Sequence, residues 1–146
     1  MRFGRIFVVE GSMNTKQYME AIQTRLLPQA AQWFSDEEWL FQQDNAPCHS
    51  SKATKDFFNR SNMEVMQWPA CSPDMSPIET IWAVIKGKLR RMSLKSKPDL
   101  INALFNICVR DTSDQEQLAE ICKKLIDDMP RRVAALLKAK GGHTIF

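Results

Sequence analysis

Trp39-Leu40-Phe41-Gln42-Gln43-Asp44-Asn45-Ala46-Pro47-Cys48-His49 is the stretch on which the fold turns. Its first residues are apolar and aromatic enough for a buried β-strand, which runs directly into a polar turn at Gln43-Asp44-Asn45. Downstream, Ser50-Ser51 caps a short helix carrying Phe57 and Phe58. Met63-Glu64-Val65-Met66-Gln67-Trp68 then alternates as a further strand, stopped by Pro69. Upstream, Arg5-Ile6-Phe7-Val8-Val9 is β-branched and aromatic as far as Glu10-Gly11 and reads as a strand. Asn14 caps a helix whose apolar positions Tyr18, Ile22 and Leu26 recur every fourth residue; Pro28 kinks or restarts it on the way to Phe34. Strand, helix, strand, helix, strand predicts an α/β layer with helices packed on a sheet of about three strands.

Beyond the loop Ala70 to Ser76 the pattern is helical throughout. Ile78, Ile81, Trp82, Ile85 and Leu89 trace one face of a helix beginning at Pro77. Pro98 opens a helix with Ile101, Leu104 and Cys108, and Asp114 with Gln117 gives a cap-like start to one bearing Leu118, Ile121, Cys122, Leu125 and Ile126. Pro130 begins a last short helix through Leu137, closed by Gly141-Gly142. One domain over 1–146 is expected, with an α/β part at 1–76 and a helical part at 77–146, and no internal repeat or low-complexity stretch.

Composition narrows the class. With 146 residues, 44% hydrophobic and 25% charged, the chain can bury a core and is not disordered by composition. Its apolar runs, such as Ile6 to Val9, are too short to span a bilayer, so no membrane partner is expected. Met1-Arg2-Phe3-Gly4-Arg5 lacks a signal peptide's apolar core, which leads to the expectation of a cytosolic or nuclear protein. Cys48, Cys71, Cys108 and Cys122 form no C-x-x-C pair, so buried or free thiols are expected rather than a zinc knuckle or disulfide scaffold.

Charge is distributed unevenly. Residues 1–85 hold 7 Lys/Arg against 10 Asp/Glu, whereas 86–146 hold 13 against 7. Lys86, Lys88, Arg90, Arg91, Lys95 and Lys97 fall within twelve residues that contain no acid. Such a run suits a nucleic-acid backbone, and it equally suits a solvated helix end with favourable dipole interactions.

Two acids occupy places where α/β proteins put chemistry: Asp44 just past a strand, Glu79 in the first turn of a helix. Carboxylates converging from such positions can hold Mg²⁺, a hard ion that takes oxygen ligands, and a pair of such ions can promote attack on a phosphodiester. Each acid also has a structural reading. Ser76-Pro77-Ile78-Glu79 satisfies the capping-box pattern, and Asp44-Asn45-Ala46-Pro47 can be an Asx turn. His49 beside Cys48 is more readily structural than a zinc ligand, and Trp68 and Trp82 fit core packing better than base stacking.

Gln42 to His49, together with Trp68-Pro69-Ala70-Cys71-Ser72-Pro73-Asp74-Met75-Ser76-Pro77-Ile78-Glu79 and the following Trp82 and Lys86, resembles the mariner-type transposases of the DDE superfamily. Asp44 and Glu79 are separated by 34 residues, the interval typical of one large branch. Gly4 to Asn14, Met129-Pro130-Arg131-Arg132 and Lys140-Gly141-Gly142-His143 match that branch as well; Met75 and Ser76 stand where the family usually has Leu and Asn. The resemblance implies a truncated RNase H-like fold and DNA cleavage and strand transfer dependent on Mg²⁺ or Mn²⁺. It implies that Asp44 is the second carboxylate of the triad, bridging two ions, and Glu79 the third, with His49 shaping the pocket or touching DNA and given no ligand role. It further implies that the family's first catalytic Asp belongs upstream of the segment matching residues 4–14, and that this chain corresponds to the C-terminal part of a transposase catalytic domain. On that reading the isolated chain has impaired activity and self-associates or takes the missing strands from a partner, and strand 5–9 pairs with 39–43 or detaches. The alternative is a catalytically inactive, domesticated module that binds DNA or a protein. Either would act in the nucleus.

Overall fold

A single helical path, broken once, leads into the first half of the molecule. In this computed structural model, which describes Gly4, Ile6–Ser35, Glu37–Lys140 and Gly142, Asn14 and Gln17 form a reciprocal capping box at the start of α1 (Thr15–Ala21). A π-helical turn over Ile22–Leu26 follows, and α2 (Leu27–Phe34) completes the path. Pro28 supplies the reason for the turn. It has no N–H to donate to the carbonyl of Thr24, and its ring would collide there; widening the preceding turn lets Leu27 N–H reach Ile22 instead and keeps the axis going.

α3 (Pro47–Ser50) and α4 (Lys52–Arg60) come next, with Ser51 accepting a hydrogen bond from Thr54 N–H as the N-cap of α4. These elements lie within one compact unit, Phe7–Cys71. Its core is Tyr18, Ile22, Phe58 and Met63, with Trp39, Phe41 and Val65 packed against them.

The expected sheet of about three strands is not present among the described residues. What remains of it is one parallel bridge between Phe41 and Val65, made by Phe41 N–H to Glu64 O (2.9 Å) and Met66 N–H to Phe41 O (2.8 Å). Segments 39–43 and 63–68 are therefore neighbours without becoming a ladder. Slanted parallel pairing is the weaker kind, and two strands alone are marginal, so a single contact is what the pair sustains. Further along, the Asn45 side-chain amide donates to Trp68 O (2.8 Å), tying the two segments where backbone pairing has stopped. Segment 39–43 is not buried on both faces either, since Trp39 and Phe41 face the core while Leu40 is exposed. Of the expected strand 5–9, Arg5 lies outside the described residues and Ile6–Val9 form no bridge among them; Arg25 sits 5.9 Å from the centre of the Phe7 ring.

The second unit comprises Ser72–Phe146 with Met1–Ile6, so far as those stretches are described. A short 3₁₀ turn (Pro73–Met75) leads into α5 (Pro77–Leu89), then α6 (Lys97–Phe105), a π-helical turn (Asn106–Arg110), α7 (Thr112–Asp127) and α8 (Met129–Lys138). Ile81 and Ile85 of α5 meet Ile107, Leu118 and Leu125 in its core, with Ile107 wholly buried. Asp111, not Asp114, is the N-cap of α7, accepting from Asp114 N–H at 2.9 Å. The chain leaves α8 through Lys140 in the left-handed region (φ 50°); of the expected Gly141-Gly142 stop, Gly141 lies outside the described residues. No helix among the described residues is long and apolar enough to cross a membrane, and all four cysteines are free thiols.

Candidate active site

Asp44 belongs to the first unit and Glu79 to the second, and each is held by its own surroundings. Asp44 follows the 39–43 segment. Its Oδ1 accepts from Ala46 N–H (3.0 Å), closing an Asx turn, and meets His49 Nδ1 at 2.6 Å. The Asx turn expected from the sequence is therefore formed. Ala46 N–H, above all, holds the carboxyl below its usual range; burial pushes the other way, and the hydrogen bond and charge of His49 add to the lowering. The carboxylate is largely exposed (67%) while the imidazole beside it is mostly covered (20%). Oδ2 has no hydrogen-bond or ion-pair partner among the described residues.

His49 sits in the single turn of α3, and everything around it is fixed. The Tyr18 ring lies against the imidazole, 4.1 Å between centres at 32°. Tyr18 OH donates to Gln43 Oε1, and Gln43 Nε2 donates to the carbonyl of His49. The buried Thr54 hydroxyl donates to Cys48 O (2.7 Å), fastening α3 to α4. Burial, above all, keeps the Tyr18 phenol far above its ordinary pKa, so it is a donor at every physiological pH.

Glu79 is exposed in the first turn of α5, and its carboxylate has no partner among the described residues. The capping box expected at Ser76 does not form: the Ser76 side chain makes no cap hydrogen bond, and Glu79 reaches Ser76 only through its backbone N–H. The turn ahead of α5 is held from elsewhere. The guanidinium of Arg132 on α8, a buried group, donates to Asp74 O at 3.0 Å.

The basic run spans the end of α5, the loop after it and the start of α6. Lys86, Arg90, Arg91, Lys95 and Lys97 are exposed, but Lys88 is not available in the same way. Its ammonium is bound by Asp114 (2.6 Å) and Gln117 of α7. Trp68 is half-buried, and Trp82 is 43% exposed rather than packed in the core. No three His, Cys, Asp or Glu side chains gather as a metal cluster among the described residues.

Residues 2–101 match the family model of the DDE superfamily endonucleases, and the chain belongs to that family. Within it, the chain is related to the Tc1/mariner transposases. It is 31% identical over 138 residues to the Transposable element Tc1 transposase of Caenorhabditis elegans, a match covering 94% of this chain and 48% of that protein. Against the Tcb1 transposase of Caenorhabditis briggsae it is 28% identical over the same shares. The chain therefore spans about half the length of these relatives. Among solved structures, the Mos1 transposase catalytic domain with raltegravir and Mn superposes with a TM-score of 0.72 at 22% identity, over 91% of this chain and 66% of that one. The Mos1 mariner paired end complex with Mn gives 0.70 at 24% identity, over 90% of this chain and 38% of that chain. The fold is thus that of the transposase catalytic domains, RNase H-like in type.

Sequence reasoning assigned no role to Tyr18, Gln43 or Thr54. Tyr18 reads as one more apolar position of a helical stripe; only its hydroxyl, which a purely apolar stripe does not need, hinted at a polar contact. Gln43 lies inside the long motif, but its link to Tyr18 spans 25 residues and has no local signature.

Proposed function

We propose that this chain provides the second and third carboxylates, Asp44 and Glu79, of a divalent-cation site that cuts and joins DNA in transposition. The observation that carries the reading is the pairing of a family match with the state of the two acids. Both carboxylates are exposed, and each retains at least one oxygen without a donor among the described residues. Ionised carboxylate oxygens of that kind suit Mg²⁺ and Mn²⁺, so the residues fit the ion. When bound, the cation supplies positive charge to the phosphodiester and its leaving oxygen. The chain's own contribution is to hold the two anionic ligands, and to seat the DNA backbone on Lys86, Arg90, Arg91 and Lys95, phosphate contacts that position without reading sequence. Lys88 joins them only by giving up Asp114 and Gln117.

The paired end complex formed by the Mos1 mariner transposase supports DNA as the partner, and the Mn and Mg in the Mos1 structures support the cation. A DDE triad has three carboxylates, so we propose that activity requires a third from a further segment or a partner chain, self-association being one route. The setting would be the nucleus. A second reading, a DNA-binding module without chemistry, is favoured by one fact: Lys86, Arg90, Arg91 and Lys95 stand exposed whatever happens at Asp44 and Glu79.

The test is cleavage and strand transfer with Mg²⁺ or Mn²⁺. The 146-residue polypeptide alone should show neither above background. With a strand-borne Asp supplied in cis or trans, activity should appear and be abolished by Asp44→Asn or Glu79→Gln. Turnover that survives either substitution refutes the reading.

A further inference from the structure

We propose that His49 is a positioning residue that fixes which oxygen of Asp44 a divalent cation can take. A carboxylate only accepts, so the 2.6 Å contact makes His49 Nδ1–H the donor to Oδ1. Ala46 N–H also donates to Oδ1, at 3.0 Å. With two donors Oδ1 is saturated, and Oδ2, without a hydrogen-bond partner among the described residues, is left as the anionic oxygen. Asp44 would then ligate through one oxygen, monodentately.

The surroundings of the imidazole are those of a group held for orientation. The Tyr18 ring covers its face, and Tyr18 OH fixes Gln43, whose amide in turn holds the His49 carbonyl at 3.3 Å. Thr54 anchors the neighbouring carbonyl, Cys48 O, and His49 N–H closes onto Ala46 O at 2.9 Å. The ring is thus clamped on its face, at its backbone and at Nδ1, while the carboxylate it serves stays mostly in solvent. A histidine kept only for packing needs no donor aimed at an exposed carboxylate. Ligand-orienting groups of this sort typically alter metal affinity about 10- to 100-fold when removed.

Monodentate presentation has a consequence for ion choice. Mg²⁺ demands near-octahedral geometry with single oxygens, whereas Ca²⁺ accepts a bidentate carboxylate readily. Freeing Oδ1 should therefore cost Mg²⁺ more than Ca²⁺.

This inference rests on the reading of Asp44 as a cation ligand, and the experiment separates the two. Mn²⁺ binding to the 146-residue chain is followed by the electron paramagnetic resonance of free Mn²⁺, with Mg²⁺ and Ca²⁺ as competitors. His49→Ala should weaken Mn²⁺ about 10-fold and lower the preference for Mg²⁺ over Ca²⁺. His49→Asn, whose amide N–H falls near the place of Nδ1, should restore both to near wild type. Tyr18→Phe, which keeps the ring and loses only the hydroxyl, should move both in the direction of His49→Ala by a smaller amount. It also serves if His49→Ala fails to fold. Wild-type Mn²⁺ affinity in His49→Ala, with affinity lost in Asp44→Asn, overturns the role of His49 and leaves Asp44 as ligand. Weakened Mn²⁺ binding with an unchanged Mg²⁺/Ca²⁺ ratio also overturns it, because that outcome is a structural loss without oxygen selection. Asp44→Asn binding Mn²⁺ as wild type does overturns both readings together.

Discussion

Neutralising Arg90 and Arg91 together should halve the salt dependence of DNA binding, whereas neutralising Lys88 should barely change it. The difference follows from where the six cations of the basic run are spent. Lys88 is paired with the Asp114 carboxylate and donates to Gln117 Oε1, and Lys97 interacts within the fold at the start of α6. Lys86, Arg90, Arg91 and Lys95 remain exposed to meet phosphates. Each phosphate neutralised releases condensed counterions, so four contacts give a slope of log K against log salt of about −3.6, and two give about −1.8. Between 50 and 200 mM salt the wild type should therefore lose about 150-fold in affinity and the double variant about 12-fold. Fluorescence anisotropy with unrelated duplexes reads both the slope and its indifference to sequence, and Kd should lie on the order of 10⁻⁴–10⁻⁶ M at physiological salt. A Lys88→Ala slope reduced as much as that of Arg90→Ala/Arg91→Ala would refute the reasoning, since it would mean that the α7 contacts do not hold Lys88. Undetectable binding at about 50 mM salt would assign the whole run to solvating a helix end.

Two further outcomes check the packing. Ile107→Ala removes a wholly buried side chain from among Ile81, Ile85, Leu118 and Leu125 and should cost about 3–5 kcal/mol in urea unfolding, with Ile107→Val costing about 1 kcal/mol; a loss below about 1 kcal/mol for the alanine would contradict the assignment of that core. Burial raises the pKa of Cys108 and Cys122, which lowers their thiolate fraction at a given pH, while Cys71 is exposed. With a thiol reagent near about pH 8, Cys71 should be modified first and Cys108 and Cys122 last, and the reverse order would be incompatible with this structure.

Much of the helical half was legible because its determinants are local. Asn14, Ser51 and Pro77 mark helix starts through chemistry confined to three or four residues, and the structure places starts there. At α7 the same logic slipped by one turn, because Asp111 and Asp114 are both acceptable acids and only geometry shows which one caps. Strands were the weaker reading. Phe41 and Val65 do lie side by side, yet a ladder is a property of partners, and alternation in one segment does not say how many partners it finds. Asp44 and Glu79 stand out in two long motifs, and the structure finds both exposed. The contacts around Asp44 were not: Tyr18 meets His49 and Gln43 across more than two dozen residues, and nothing in either local sequence announces that meeting. Trp82 shows the opposite failure, since its helical spacing is right for a core that the described residues do not extend over it.

If Asp44 and Glu79 serve one cation site, as proposed, iron-directed backbone cleavage will reveal it most directly. Fe²⁺ takes the place of Mg²⁺ on oxygen ligands and, with ascorbate and peroxide, cuts the chain beside the residues that hold it. Two cuts are expected, one near Asp44 and one near Glu79, that fade together when Mg²⁺ competes and are both lost in either Asp44→Asn or Glu79→Gln. Cuts confined to one locus, or a cut at one carboxylate that persists when the other is neutralised, would contradict the claim.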